Sequence, residues 1–182
     1  MSIQGDYLKI HGELKKELQL ANVMQVPRMT KIVVNAGLGE ALVDHKVIEK
    51  VAYQLGLITG QKPQTTRARR SIASFKLRAG EVIGLKVTLR GKRMFDFFEK
   101  FVRIVLPRTR DFRGVPLSGF DGHGNYNLGL SEITVFPEID YAKLDKARGL
   151  EVTFVTNAGN DRGGRALLVK LGMPFEKGKN RN

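Results

Sequence analysis

The 182-residue chain has no cysteine, which excludes a disulfide framework, thiolate metal sites and a cysteine nucleophile together, and suits a reducing compartment. No stretch approaches the roughly 20 apolar residues that a bilayer span requires. The opening Met-Ser-Ile-Gln-Gly-Asp also lacks the basic start and apolar run of a secretory signal. The expectation is a cytoplasmic protein with no membrane partner. Histidine is sparse: His11, His45 and His123 are scattered, with no H-E-x-x-H and no pair at i, i+4, so neither a zinc site nor another cofactor is expected. Acid is missing from one place above all. Between Gln61 and Arg93 ten Lys and Arg residues face a single carboxylate, Glu81, so this stretch holds +9 of the formal +13. The rest of the chain is nearly balanced. Like charges gathered in one segment repel unless phosphates neutralise them, so a nucleic acid is the first partner to expect.

What is present suits one compact body, since 182 residues with 42% hydrophobic content can bury a core. Residues 1–182 are expected to form a single domain with a flexible tail at 176–182. The first 22 residues place Leu8, Leu14, Leu18 and Ala21 at helical spacing, and Pro27 ends any helix there. Lys31 to Ala36 is β-branched and runs into Gly37-Leu38-Gly39, a strand entering a turn. After Asp44 as N-cap, Val47, Ile48, Val51, Leu55 and Ile58 form a helical stripe that stops at Gly60.

Val82 to Arg90 is the clearest strand. Ile83, Leu85, Val87 and Leu89 point to one side, and Gly84, Lys86, Thr88 and Arg90 to the other. If Thr65 to Arg70 pairs with it, Thr65, Arg67 and Arg69 add to a polar, cationic surface. Between them, Ser71 to Gly80 reads as a loop. Arg93 to Leu106 is a helix with Met94, Phe97, Phe98, Phe101, Val102 and Val105 buried, ending at Pro107. Pro107 to Gly129 shows no period over 23 residues, so it either binds something or hides an element. Strands follow at Ser131 to Phe136 and Leu150 to Asn157, then a helix from Asp161 to Leu171 whose first turn Gly163 and Gly164 should fray. This order predicts an α+β fold: two layers, a mostly antiparallel sheet with helices on one face, and an open basic face for RNA.

The charges are threaded among hydrogen-bonding groups. Thr65, Thr66, Ser71 and Ser74 can donate to phosphate and ribose oxygens, and Phe75 sits in a loop with no apolar period, either to stack on a base or to fold back with Ile72 and Leu77. Gly37-Leu38-Gly39 is no dinucleotide loop, because Leu42 stands where the third glycine belongs. Glu138 and Asp140 beside Pro137 read as an exposed turn rather than a cation site. An RNA-processing enzyme, with Asp121 and His123 as acid and base, is a rival reading. A non-ribosomal RNA-binding module, or a module for acidic proteins, is another.

The motifs Met24-Gln25-Val26-Pro27-Arg28, Asn35-Ala36-Gly37-Leu38-Gly39-Glu40-Ala41, Thr66-Arg67-Ala68-Arg69-Arg70-Ser71-Ile72-Ala73, Lys86-Val87-Thr88-Leu89-Arg90, Arg110-Asp111-Phe112-Arg113-Gly114 and Phe136-Pro137-Glu138-Ile139-Asp140-Tyr141 stand in fixed order. On them, the chain from Val23 to Phe175 closely resembles the bacterial form of the universal large-subunit ribosomal protein five. The resemblance implies a structural, non-enzymatic constituent of the ribosome that seats 5S rRNA in the central protuberance, beside 23S rRNA. It implies RNA contact at Asn35, Gln61, Thr65, Arg67, Arg69, Thr88 and Arg90. It further implies that Ser71, Ser74, Phe75, Lys76 and Arg78 reach the P-site tRNA. Arg108, Arg110 and Arg113 would meet small-subunit ribosomal protein thirteen in an intersubunit bridge, and Lys177, Lys179 and Arg181 could add phosphate contacts.

Overall fold

The computed structural model describes residues 3–110, 112–140 and 145–176, with side chains from residue 9 onward. Leu8, Asp111, Tyr141, Lys177, Lys179 and Arg181, each named above, therefore lie outside the described residues or side chains. Five strands form one sheet in the order β2-β3-β1-β5-β4: β1 (Met29–Gly37), β2 (Gln64–Arg67), β3 (Val82–Leu89), β4 (Tyr126–Leu130) and β5 (Leu150–Thr156). β2 and β3 are antiparallel. So are β1 and β5, since Arg28 lies against Asn157, Thr30 against Val155 and Asn35 against Glu151. β4 runs antiparallel to β5 in turn, with Asn125 at Thr156 and Asn127 at Thr153. With helices α1 (Ile3–Glu17), α2 (Lys46–Thr59), α3 (Gly91–Lys100), a short turn α4 (Leu106–Arg108) and α5 (Asp161–Lys170), the fold is α+β, as expected. Among the described residues no helix is long and apolar enough to cross a membrane.

Contacts group the chain into two compact units, one of Met1–Ile32, Arg90–Leu128 and Thr153–Asn182, the other of Val33–Leu89 and Gly129–Val152. The first has an aromatic core. Phe98 meets Phe154 edge-on with ring centroids 5.5 Å apart, Phe101 packs on the same ring, and Tyr126 lies against Phe120 and Phe175. The phenylalanines of α3 are thus core, as their spacing predicted, although Val102 is only half-buried. The second unit buries Val47, Val51, Leu55 and Ile58 of α2, with Leu85, Val87 and Leu89 of β3 in its core. Gly60 ends α2 in the left-handed region at φ 63°.

Several expectations need correcting. α1 ends at Glu17 rather than near residue 22, because Gln19 turns left-handed at φ 53° and leaves Ala21 exposed. The N-terminal position of α2 is His45, while Asp44 accepts the Lys46 N–H at 2.9 Å from just outside. The α3 rod does not stop before Pro107. It widens to a π-helix over Phe101–Val105 and carries Pro107 within the closing turn α4. Proline has no N–H to continue an i to i−4 ladder, and the wider turn lets the Leu106 N–H reach back to the Phe101 carbonyl instead.

The stretch Pro107 to Gly129 hid an element, strand β4, and the strand expected at Ser131 to Phe136 is a 3-10 turn at Ile133–Val135. Tyr-Asn-Leu-Gly-Leu reads poorly as a strand, since asparagine and glycine interrupt the apolar run. Gly163 and Gly164 do not fray α5. Both are buried, Asn160 caps the helix by accepting the Gly163 N–H at 2.8 Å, and a Cβ on Gly164 would lie 2.4 Å from the Gly124 carbonyl oxygen. Gly164 thus permits backbone to touch backbone, while Gly163 leaves room for the side chains of Pro27, Ala158 and Asn160.

Candidate nucleic-acid interface

Strand alternation and register decide which side chains of the second unit face outward on the polar side of its strands. On β3, Leu85, Val87 and Leu89 are buried while Lys86 and Thr88 stay partly open. Gln64 pairs with Lys86, Thr65 with Leu85 and Thr66 with Gly84. Opposed residues of an antiparallel pair share a face. Gln64 and Thr66, rather than Thr65, therefore flank Lys86 and Gly84 on the polar side. The expectation that Thr65 joins that surface is off by one residue, because parity along a four-residue strand depends on a register that the sequence does not state. A register shift between Thr66 and Arg67 then sets Arg67 against Val82.

Gly84 has a specific role. A Cβ there would lie 2.7 Å from the Ala36 carbonyl oxygen, a backbone atom that cannot turn away, and 2.8 Å from Thr66 Oγ1, which can rotate, so it is the approach of β1 that requires glycine. Gln61 Nε2 donates to the Thr88 carbonyl at 3.3 Å, tying the segment after α2 to β3. Asn35 Nδ2 lies 3.5 Å from Glu151 Oε2, which brings to the polar side a carboxylate that sequence reasoning did not single out. The signal for Glu151 was its place between the buried Leu150 and Val152, which turns it outward.

The loop between β2 and β3 is a closed hairpin. Ala68 donates to the Glu81 carbonyl at 2.8 Å and Gly80 to the Ala68 carbonyl at 2.9 Å, carrying the pairing past the strand ends. Higher up, Ile72 and Leu77 exchange backbone hydrogen bonds of 2.9 and 3.1 Å around a 3-10 turn at Ala73–Phe75. Lys76 follows at φ 52°, a left-handed residue that reverses the chain. The Arg67 guanidinium donates to the Gly80 carbonyl at 2.9 Å, and Ser71 Oγ accepts the Ala79 N–H at 2.9 Å. Phe75 does not fold back: it is 69% exposed at the tip, and Ile72 is 43% exposed beside it. Ser71, Ser74, Lys76 and Arg78 share that exposure, as do Arg69 and Arg70 lower down.

The first unit holds the remaining candidates. Arg90 is exposed and stands before α3 as its N-terminal flanking residue. Arg108 projects from α4, and Arg110 and Arg113 are exposed in the segment after it. Beyond them the glycine-rich stretch is tied down. Tyr126 donates its hydroxyl to the Pro116 carbonyl at 2.7 Å, and burial pushes its phenol up to about 12. Asp121, paired above with His123 as acid and base, organises a turn instead. Its carboxylate accepts the backbone N–H groups of His123 and Asn125 at 2.9 and 3.1 Å and the Asn125 side-chain amide at 2.7 Å. The Asn125 hydrogen bond is the leading cause that holds it below the ordinary carboxylate range. Glu138 and Asp140 are exposed, and no cluster among the described residues could hold a metal ion.

A sheet that offers Lys86, Thr88, Gln64 and Thr66 beside a cation-studded hairpin defines a structural RNA-binding protein. Comparison with known proteins narrows this. The family model described as ribosomal protein L5 matches residues 22–78, and the companion model for the C-terminus of the same ribosomal family matches residues 82–175. The large ribosomal subunit protein uL5 of Anaeromyxobacter sp. (strain K) is 58% identical over 169 residues, covering 93% of this chain and 94% of that one. That of Chloroflexus aurantiacus (strain ATCC 29366 / DSM 635 / J-10-fl) is 59% identical over 162 residues, 89% of this chain and 90% of its own length. The chain belongs to the ribosomal protein L5 family. It is a structural constituent of the large ribosomal subunit that binds RNA and serves translation, and it is not an enzyme.

Proposed function

We propose that the chain attaches 5S rRNA to the large subunit. The observation that carries this reading is the confinement of +9 charge to the stretch Gln61 to Arg93, six of whose ten cations, Arg67, Arg69, Arg70, Lys76, Arg78 and Lys86, lie on β2, β3 and the hairpin that joins them. Arg67 and Arg69 supply phosphate contacts at the foot of the hairpin, and Arg90 supplies another just beyond β3. Asn35, Gln61 and Thr88, with Thr65 exposed on the edge strand β2, add hydroxyl and amide groups suited to ribose and phosphate oxygens. The hairpin tip, with Ser71, Ser74, Phe75, Lys76 and Arg78, contacts the P-site tRNA. Arg108, Arg110 and Arg113 meet small-subunit ribosomal protein thirteen, and 23S rRNA borders the protein in the assembled subunit.

Phosphate-dominated binding fixes the test. Replacing Arg67, Arg69 and Arg90 together by Ala weakens 5S rRNA binding and flattens the plot of log affinity against log salt by about one unit for each phosphate no longer neutralised. A slope equal to that of the unaltered protein would overturn the assignment. Phe75→Ala leaves isolated 5S rRNA binding intact and weakens protection of the tRNA elbow on assembled ribosomes, since base–aromatic stacking contributes about 1–3 kcal/mol. Unchanged elbow protection would remove the tRNA role alone.

A further inference from the structure

Glu81 is the only carboxylate in the stretch Gln61 to Arg93, and its hydrogen bonds to Arg78 and Ala68 lie within the hairpin. Its Oε2 accepts the Arg78 N–H at 2.8 Å, while its own N–H donates to the Arg78 carbonyl at 3.2 Å, so the two residues close a ring across the hairpin's return strand. Its carbonyl accepts from Ala68 at 2.8 Å on the opposite strand. Glu81 is half-buried, whereas Arg67, Arg69, Arg70, Lys76 and Arg78 around it are exposed. We propose that Glu81 is a positioning residue, a clasp and counter-charge that holds the hairpin folded before any RNA arrives, so that Phe75 is presented on a preformed tip. A charge-assisted acceptor fixes the Arg78 backbone, and the negative charge offsets repulsion among five cations that have no phosphate to meet in the free protein. Ser71 completes the clasp one step higher by accepting the Ala79 N–H.

The clasp itself stands apart from the tRNA reading, on which only its functional consequence rests. The test is amide hydrogen exchange by NMR on the full chain, free of RNA. In Glu81→Ala the amides of Arg78 and Ala79 exchange about tenfold faster, the loss expected from one charge-assisted hydrogen bond, while those of Leu85 and Val87 in β3 keep their rates. Glu81→Gln retains an acceptor without the charge, so its Arg78 and Ala79 amides exchange at rates between those of Glu81→Ala and the unaltered protein. Ser71→Ala, which changes no charge, speeds Ala79 alone. Both Glu81 variants bind poly(U) roughly twofold to threefold more tightly at low salt, because one repelling charge near the phosphates is gone. Wild-type exchange at Arg78 in Glu81→Ala, or exchange in Glu81→Gln as fast as in Glu81→Ala, overturns the clasp. If Glu81→Ala does not fold, wild-type exchange at Arg78 in Glu81→Gln overturns the charged clasp equally. Elbow protection on assembled ribosomes then falls in Glu81→Ala and survives in Glu81→Gln. Fast exchange with unchanged protection supports the clasp and refutes the tRNA reading instead.

Discussion

Gly164→Ala sets two effects of opposite sign against each other. On helix propensity alone, alanine in place of glycine inside α5 stabilises by about 1 kcal/mol. The packing opposes this. The added Cβ would stand 2.4 Å from the Gly124 carbonyl oxygen and 2.9 Å from its carbonyl carbon and Cα, against the 3.4–4 Å of ordinary contact. These are backbone atoms, so no side chain can rotate away. The Gly124 peptide is held on both sides, its N–H donating to Asp161 Oδ1 at 2.9 Å and its carbonyl accepting the Thr156 hydroxyl at 2.8 Å. Moving α5 outward by about 1 Å would bring the Cβ near normal contact and break the bond to Asp161, adding about 1 kcal/mol to an overpacking cost of about 1–3 kcal/mol. The balance is a destabilisation of about 2 kcal/mol, read as a lower urea midpoint by far-ultraviolet circular dichroism with an unchanged slope. A midpoint equal to or above that of the unaltered protein would show that the close approach of Gly124 and Gly164 is not needed for the fold.

Three further perturbations follow from the same geometry. Tyr126→Phe loses the hydroxyl bond to Pro116 and costs about 1 kcal/mol at neutral pH. Because burial holds the folded phenol neutral up to about 12, native stability is complete below the ordinary value of 10 and is lost as pH rises between the two, and the Phe variant removes that part of the alkaline decline in a pH series of urea midpoints. Arg148, nearly buried, donates to both Glu40 and Asp145, and is the first cause holding both carboxylates below their ordinary range. Their contribution is full above 4.5 and 3.8 and fades as pH falls through the lower folded values, so Arg148→Ala flattens the acid limb of the stability curve. Gly84→Ala drives a Cβ into the Ala36 carbonyl of β1 and loosens the packing of β3 on β1, which far-ultraviolet circular dichroism during thermal unfolding reports as a lower Tm.

The elements readable from sequence are those whose pattern repeats over several turns or strand periods. The stripe of α2 with its glycine stop, the alternation of β3 and the phenylalanine face of α3 all belong to this group. β4 escapes because its five residues hold two that weaken strand signals, and its partner is β5, more than 20 residues further along the chain. The Gly163-Gly164 pair misleads for a related reason: whether glycine frays a helix or admits a neighbour depends on what lies opposite, here Gly124. At the interface, the cations and Phe75 are visible in composition. The parity of Gln64 and Thr66 is not, since it depends on cross-strand register, and while the alternation Leu150-Glu151-Val152 turns Glu151 outward, its approach to Asn35 again depends on register.

The π-helical stretch Phe101–Val105 frees the direction of a basic segment from the exact count of residues before it. One residue more than an α-helix needs is wound into that turn, where the Leu106 N–H reaches back five residues to Phe101 instead of four. Deleting a single exposed residue such as Ile104 would let the ordinary ladder close and leave Arg108 on nearly the same side of the rod, because the wide turn and the ordinary one sweep about the same angle. In an unbroken α-helix the same deletion would turn everything beyond it by about 100°. The wide turn is the place where this rod can change length by one residue and still meet a neighbour along the same bearing.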